Sequence, residues 1–302
     1  MSMIIEEIKK EKHRSRFRKI SRPIINSFHG FYHHVFLRHT SRILCNSMMK
    51  SGTHLLLGIV SNLPPYKYYG KKAFWHFLAR ARVNPQKNAT IQKVILDLSS
   101  CLSGEISQGH IEANQEILQF LIDYQFKHVF IYRDLRDVVV SHFYGTKTRG
   151  IDTWIRRYFL SLDSDEERLA FLINGWPKDA SQKGFPDWVD FPNIGERFMA
   201  FHPWLNNENC FTIRFEDLLE NKTKEETLSR LAKFLLSSPD EEKIRASINS
   251  MNSGFSPSKS KTFRKGISGE WENYFSKNHI SMFKECAGKL LIDLGYEKDM
   301  NW

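Results

Sequence analysis

The sequence predicts an α/β fold with parallel strands at its centre. Two observations carry that reading. Short apolar runs, Ile43-Leu44-Cys45 and Val129-Phe130-Ile131-Tyr132, have the length of strands buried on both faces. Each runs into a polar turn and then an apolar-periodic helix, the alternation that parallel sheets require. The 302 residues suffice for one large α/β domain or two small ones, and a hydrophobic content of 41% supplies a core.

Charge separates the chain into two parts. Residues 1–42 hold ten Lys or Arg against three Glu, which is +7 of the net +10. The basicity therefore belongs to a leading arm, residues 1–40, and not to residues 41–302, so no nucleic-acid surface is expected on the domain. The preferred reading of the arm is a solvated segment that packs Phe31, Tyr32, Val35, Phe36 and Leu37 on the domain. Contact with an acidic membrane surface is the less favoured alternative. His29, His33 and His34 have no acidic or cysteine partner nearby, so no metal is expected. Cys45, Cys101, Cys210 and Cys286 are far apart, which suggests neither a zinc site nor a disulfide framework. No apolar run approaches the ~18 residues of a spanning helix, and the charged N-terminus lacks a signal-peptide core. A soluble, cytoplasmic protein is the expectation.

After the first strand the chain breaks at Asn46-Ser47 and carries Lys50-Ser51-Gly52-Thr53 into a helix that begins around Gly52 and ends at Pro64-Pro65. A helix N-terminus offers unpaired N–H groups, glycine admits close backbone approach, and the lysine adds a mobile charge; together they suit an anion. A nucleotide-triphosphate loop would need glycines at positions 44 and 49, where Leu44 and Met49 stand. The aromatics between Tyr66 and Phe77 suit either core packing or a pocket wall. Ile106 to Ile111 reads as a short strand closing on His110, at the strand end where such sheets place ligands. Glu112 to Tyr124 follows as an amphipathic helix with Ile117, Leu118, Leu121 and Ile122 on one side.

The strand Val129–Tyr132 ends at Arg133, and Asp137 favours the first turn of the helix that follows. Arg133 at the strand end and Ser141 eight residues on can converge on one phosphate. Residues 151–190, rich in Trp, Gly and Pro, are expected to form helices and loops over the site. A helix near Gly195–Leu205, a strand Cys210–Arg214 and the element Phe215-Glu216-Asp217-Leu218 come next, followed by an amphipathic helix through Leu228, Leu231, Phe234 and Leu235. The stretch Thr262 to Phe275, TFRKGISGEWENYF, is a basic, glycine-bearing loop with an aromatic register.

Three stretches resemble, in order, the motifs of the PAPS-dependent sulfotransferases. Lys50-Ser51-Gly52-Thr53-His54 resembles the 5′-phosphosulfate loop, P-K-[ST]-G-[ST]-[ST]. Tyr132, Arg133, Asp134, Arg136, Asp137 and Ser141 match the 3′-phosphate segment, Y-R-[ND]-x-[KR]-D-x-x-x-S. Phe263 to Phe275 resembles F-R-K-G-x-x-G-[DE]-W-x-x-x-F. The resemblance spans residues 43–275. It implies a single domain with a central parallel sheet flanked by helices, the P-loop-kinase-like sulfotransferase fold. It also implies 3′-phosphoadenosine-5′-phosphosulfate (PAPS) as donor and PAP as product, with no metal, and sulfuryl transfer to a hydroxyl or amine of an acceptor. Carried over, Lys50 stabilises the leaving group, and Ser51, Gly52, Thr53 and His54 wrap the 5′-phosphate. Arg133, Ser141, Arg264, Lys265 and Gly266 hold the 3′-phosphate; Phe215, Thr262 and Phe263 lie by the nucleotide; and His110 is the general base.

Departures from the pattern are informative. Met49 replaces a proline, Leu55 a stacking tryptophan, Phe215 a tyrosine, and Gln108-Gly109-His110 stands where K-T-H is usual. His54, in place of a hydroxyl, is a second candidate base, and Glu112 a third. The acceptor is expected to be a small molecule, as in enzymes of specialised metabolism. A carbohydrate or lipid acceptor is the next choice, and a nucleotide or small-molecule kinase or a non-catalytic PAP-binding module are the rivals from other classes. The short C-terminal dimer motif of many cytosolic members is not recognisable, which leaves the oligomeric state open.

Overall fold

The computed structural model describes residues 40–84, 89–149, 151–236, 239–255 and 266–302. The arm preceding residue 40 and the loop positions Thr262, Phe263, Arg264 and Lys265 lie outside the described residues. The sequence folds in the order β1 (Arg42–Ser47), α1 (Thr53–Ser61), β2 (Lys67–Trp75), α2 (Phe77–Arg80), α3 (Ile91–Ser99), β3 (Glu105–Ile111), α4 (Gln115–Asp123), β4 (Phe126–Tyr132) and α5 (Leu135–Arg149). It continues through α6 (Trp154–Ser161), α7 (Asp165–Asn174), α8 (Ile194–Met199), β5 (Cys210–Arg214), α9 (Asn221–Leu235), α10 (Glu241–Asn252), α11 (Lys277–Phe283) and α12 (Lys289–Asp293). Among the described residues the five strands form one sheet in the order β2-β3-β1-β4-β5, every neighbouring pair parallel.

Side-chain alternation divides the core between the two faces of this sheet. Ile43 and Cys45 of β1, with Val129, Ile131 and Ile213, pack under α1, α9 and α10. Leu44, Ile111 and Phe130 face the other way, into a larger cluster with Phe143, Phe159, Phe198 and Trp204. Because the strands are parallel, the loops after β1, β2, β3 and β4 all emerge at one edge, and the motif residues gather there.

Local chemistry sets several boundaries. α1 closes at Asn62, whose N–H bonds to the carbonyls of Ile59 and Val60, before the proline pair is reached. α4 begins at Gln115 and not at Glu112, because Asn114 caps it, its side chain accepting from Glu116 N at 2.9 Å and Ile117 N at 3.3 Å. Its buried face is Ile117, Phe120 and Leu121, while Ile122 is exposed. The segment near 195–205 divides into α8 and a 3₁₀ turn at His202–Asn206.

Candidate active site

The loop between β1 and α1 is bent by two residues in the left-handed region, Lys50 at φ 74° and Gly52 at φ 105°. For Lys50 this is an uncommon conformation, of the kind that clusters at functional sites. Gly52 has a second reason to be glycine: an added Cβ would lie 2.7 Å from Cδ2 of Phe215. The bend places Ser51 in the interior, fully buried, with its Oγ lacking any hydrogen-bond partner among the described residues. Thr53 is engaged differently, its hydroxyl 2.5 Å from Ser47 Oγ. The first-turn N–H groups of α1 point out of this bend, as helix geometry requires.

His110 stands near the end of β3, adjacent to the end of β1. Asn46 joins the two strands by accepting from Ile111 N at 2.8 Å and donating to Ile111 O at 3.0 Å. Nδ1 of His110 lies 3.0 Å from the carbonyl of Ser47 and 3.3 Å from its hydroxyl. A carbonyl only accepts, so Nδ1 carries the proton and Nε2 keeps its lone pair. Burial lowers the His110 pKa to about 4, opposed by the Ser47 bond and assisted by His54, Lys50 and Lys72. The neutral ring is stacked on Phe74, centroids 5.4 Å apart.

Arg133, at the end of β4, is held on three sides. Its Nη2 donates to Asp137 Oδ2 at 3.1 Å and to Ile267 O at 2.6 Å, and its guanidinium lies 4.6 Å from the Phe215 ring centroid. Nε is buried without a partner among the described residues. Asp137 also accepts from Gly269 N at 3.0 Å and Trp271 N at 3.1 Å. Arg136 sits between Trp271 and Trp302, at 4.1 and 4.5 Å from their centroids, and pairs with Asp134 at 2.7 Å. The charges of this helix start are thus buried, not the surface ion pairs that an ordinary strand–helix junction would carry. Burial raises the Asp137 pKa against the pull of Arg133.

Of the sequence-predicted residues, Lys50, Ser51, Gly52, Thr53, His54, His110, Arg133 and Phe215 come together at this edge. Ser141 lies half-buried on α5, and Gly266, at φ 64°, immediately precedes the Ile267 carbonyl that Arg133 binds. His54 keeps an exposed part at the start of α1 while the rest of the ring is desolvated, and that desolvation, followed by Lys72 and Lys50, lowers its pKa. Glu112 is committed elsewhere: it pairs with Arg80 at 2.5 and 3.2 Å and accepts from Phe77 N at 3.1 Å. Burial raises its pKa, against the opposing pull of Arg80.

Several neighbours escaped sequence reasoning. Lys72 of β2 is in register with Gln108 of β3, bringing a cation beside the very position where the resemblance expects one. Gly145 of α5 adjoins Lys50; a Cβ built there would run into Lys50 Nζ. His76 and His142 are buried beside the aromatic wall. Only cross-strand register and helix packing reveal these four, although Phe74 lies within the aromatic stretch that suits either core packing or a pocket wall. Among the described residues no three His, Cys, Asp or Glu side chains converge as metal ligands.

Two orphaned donors, Ser51 Oγ and Arg133 Nε, and the glycine cradle between them fit a ligand with anionic groups at two points. A solved sulfotransferase structure agrees in architecture. No curated protein matches the sequence. A mouse sulfotransferase, SULT7A1, solved as a complex with PAP, superposes with TM-score 0.55 at 18% identity, over 86% of this chain and 90% of that one. Retinol dehydratase, solved with androsterone and inactive cofactor PAP, gives TM-score 0.48 at 14% identity, over 85% and 83%. The parallel sheet, the lysine-bearing loop at its edge and the match of the sulfotransferase domain family to residues 40–295 lead to one conclusion: this chain is a member of the sulfotransferase domain family.

Proposed function

We propose that the chain transfers a sulfuryl group from PAPS to a hydroxyl or amine of a small-molecule acceptor and releases PAP. The observation that carries this reading is the His110–Ser47 bond, which leaves Nε2 of a buried, neutral imidazole as a proton acceptor. When bound, PAPS supplies the sulfuryl group on a phosphate leaving group. Ser51, Gly52, Thr53 and His54 hold the 5′ end at the helix N-terminus. Arg133, Ser141 and Gly266, with Arg264 and Lys265, hold the 3′-phosphate, and Phe215, Thr262 and Phe263 border the nucleotide. Lys50 places its ammonium where negative charge develops on the leaving oxygen, so its effect falls on the transition state. His110 Nε2 takes the acceptor proton.

His110 is preferred to its alternates on geometry. Both Glu112 oxygens are occupied by Arg80 and the Phe77 N–H. His54 is exposed at the start of α1 and suits the donor side. Residues 1–40 serve as an appended arm and residues 41–302 as the catalytic domain; no helix among the described residues is long and apolar enough to cross a membrane.

Calorimetric titration with PAP, with ATP plus magnesium as the comparison, tests the reading. Tight PAP binding with little ATP binding is expected, followed by turnover of labelled PAPS. A preference for Mg-ATP overturns it in favour of a kinase.

A further inference from the structure

Residues 296–302 lie beyond the family match, which ends at residue 295, yet they reach the start of α5 where Arg133 and Asp137 stand. The chain is turned there by Gly295, left-handed at φ 71° just after α12. Tyr296 N and Glu297 N then both bond to the Leu291 carbonyl, at 2.8 and 3.3 Å, which closes the helix end. The turn lays the Tyr296 ring on Arg214, the last residue of β5, with the guanidinium 3.9 Å from the ring centroid.

Three side chains of this segment then make specific contacts. The Tyr296 hydroxyl donates to Glu216 Oε2 at 2.8 Å, and Glu216 Oε1 accepts from Asp134 N at 3.1 Å. Glu297 accepts from Arg136 Nη1 at 2.5 Å. The Trp302 ring lies 4.5 Å from the same guanidinium and meets Trp271 edge-on, centroids 5.7 Å apart at 84°. One layer further in, Trp271 N and Gly269 N donate to Asp137, and Arg133 Nη2 is shared between Asp137 and the Ile267 carbonyl. Trp271 thus joins the two layers: its ring meets Arg136 and Trp302, and its N–H holds the carboxylate that orients Arg133. A binding side chain keeps its geometry only when the residues behind it are themselves locked.

We propose that Trp302 and Glu297 are positioning residues for the 3′-phosphate site. They fix Arg136 and Trp271, and through these the 267–271 segment that aims Arg133. This deepens the sulfuryl-transfer reading and rests on it. The effect falls on donor affinity and not on the chemical step, because the contacts act behind Arg133 and on the far side of the nucleotide from the sulfuryl group. Loss of such a contact weakens ground state and transition state alike, so KM for PAPS rises while kcat stays.

The test is a double-mutant cycle on the intact protein, read by calorimetric titration with PAP. Trp302→Ala is expected to weaken PAP about three- to tenfold, the worth of one desolvated cation–ring contact, and Trp302→Phe should restore most of it. In the Arg133→Ala background, Trp302→Ala should cost less than about twofold, since the residue it positions is gone. Glu297→Gln should weaken PAP about two- to fivefold and pass through the same cycle; it decides alone if Trp302→Ala does not fold. KM for PAPS should rise with kcat unchanged in each folded variant. Unchanged PAP affinity in either folded variant overturns the proposal, as does an equal loss in the Arg133→Ala background, which a merely structural role would give. Failure of the unaltered protein to bind PAP removes the sulfuryl-transfer reading and this inference with it. PAP binding that the variants leave unmoved removes this inference alone.

Discussion

His110 and Ser47 are joined by a hydrogen bond of 3.0 Å from the imidazole Nδ1 to the main-chain carbonyl. The carbonyl belongs to the last residue of β1, where the Lys50 loop begins, so the strand that leads into this loop also sets the tautomer of His110, the proposed base. His110→Ala is expected to reduce transfer by about 10²–10⁴-fold while PAP binding persists. If His54→Ala does this and His110→Ala does not, the base is His54.

Charge around His110 gives a pH test. Its pKa is depressed to about 4, first by burial and then by cations that include Lys72. His110 is therefore deprotonated across the neutral range, and with His110 as the proposed base, loss of activity is expected on the acid side. Lys72→Ala removes one depressing charge, so the acid limb should move upward toward the ordinary histidine value. Profiles of kcat/KM from pH 4 to 8 check this; an unmoved or lowered limb contradicts it.

The two cationic residues should separate kinetically. Lys50→Ala is expected to lower kcat by about 10²–10³-fold, the loss of one preorganised charge at a developing anion, with PAP affinity little changed. Arg133→Ala should weaken PAP by about 10–100-fold, the range of a charge-assisted hydrogen bond. Equal turnover in the Lys50 variant refutes its role.

Gly145→Ala offers a test that separates activity from stability. In the interior of α5, alanine favours the helix by about 0.5–1 kcal/mol. The added methyl, however, meets the end of the Lys50 side chain. The expected outcome is an equal or raised melting temperature with reduced kcat and unchanged PAP affinity. Full activity would mean that Lys50 shifts freely.

His128 supplies a stability test away from the site. It is buried edge-on against Trp204, centroids 4.6 Å apart, and burial lowers its pKa to about 3. Below the ordinary histidine value of about 6.5 the unfolded chain binds a proton that the folded one does not. Its stabilising contribution is thus complete above that value and is lost as pH falls toward 3, by up to ~1.4 kcal/mol per pH unit. Thermal melts at pH 7.5 and pH 5 should show a smaller difference in His128→Phe than in the unaltered protein.

The main elements were legible in the sequence because each depends on neighbours close in the chain. The apolar runs of β1 and β4, the helix begun by Gly52-Thr53 and the order of the three motifs are all local. What lay beyond reach was decided by approach across the sheet. Asp137 holding Gly269 and Trp271, Lys72 beside Gln108, and Gly145 against Lys50 are contacts between residues far apart in sequence. Glu112 shows the difference most plainly. The family resemblance made it a third candidate base. Its real partners, Arg80 and the Phe77 N–H, are reached only when β2 lies parallel to β3. Residue chemistry and spacing determined which groups could act; the register of parallel strands decided which of them face one another, because hydrogen bonding and burial are settled by distance in space.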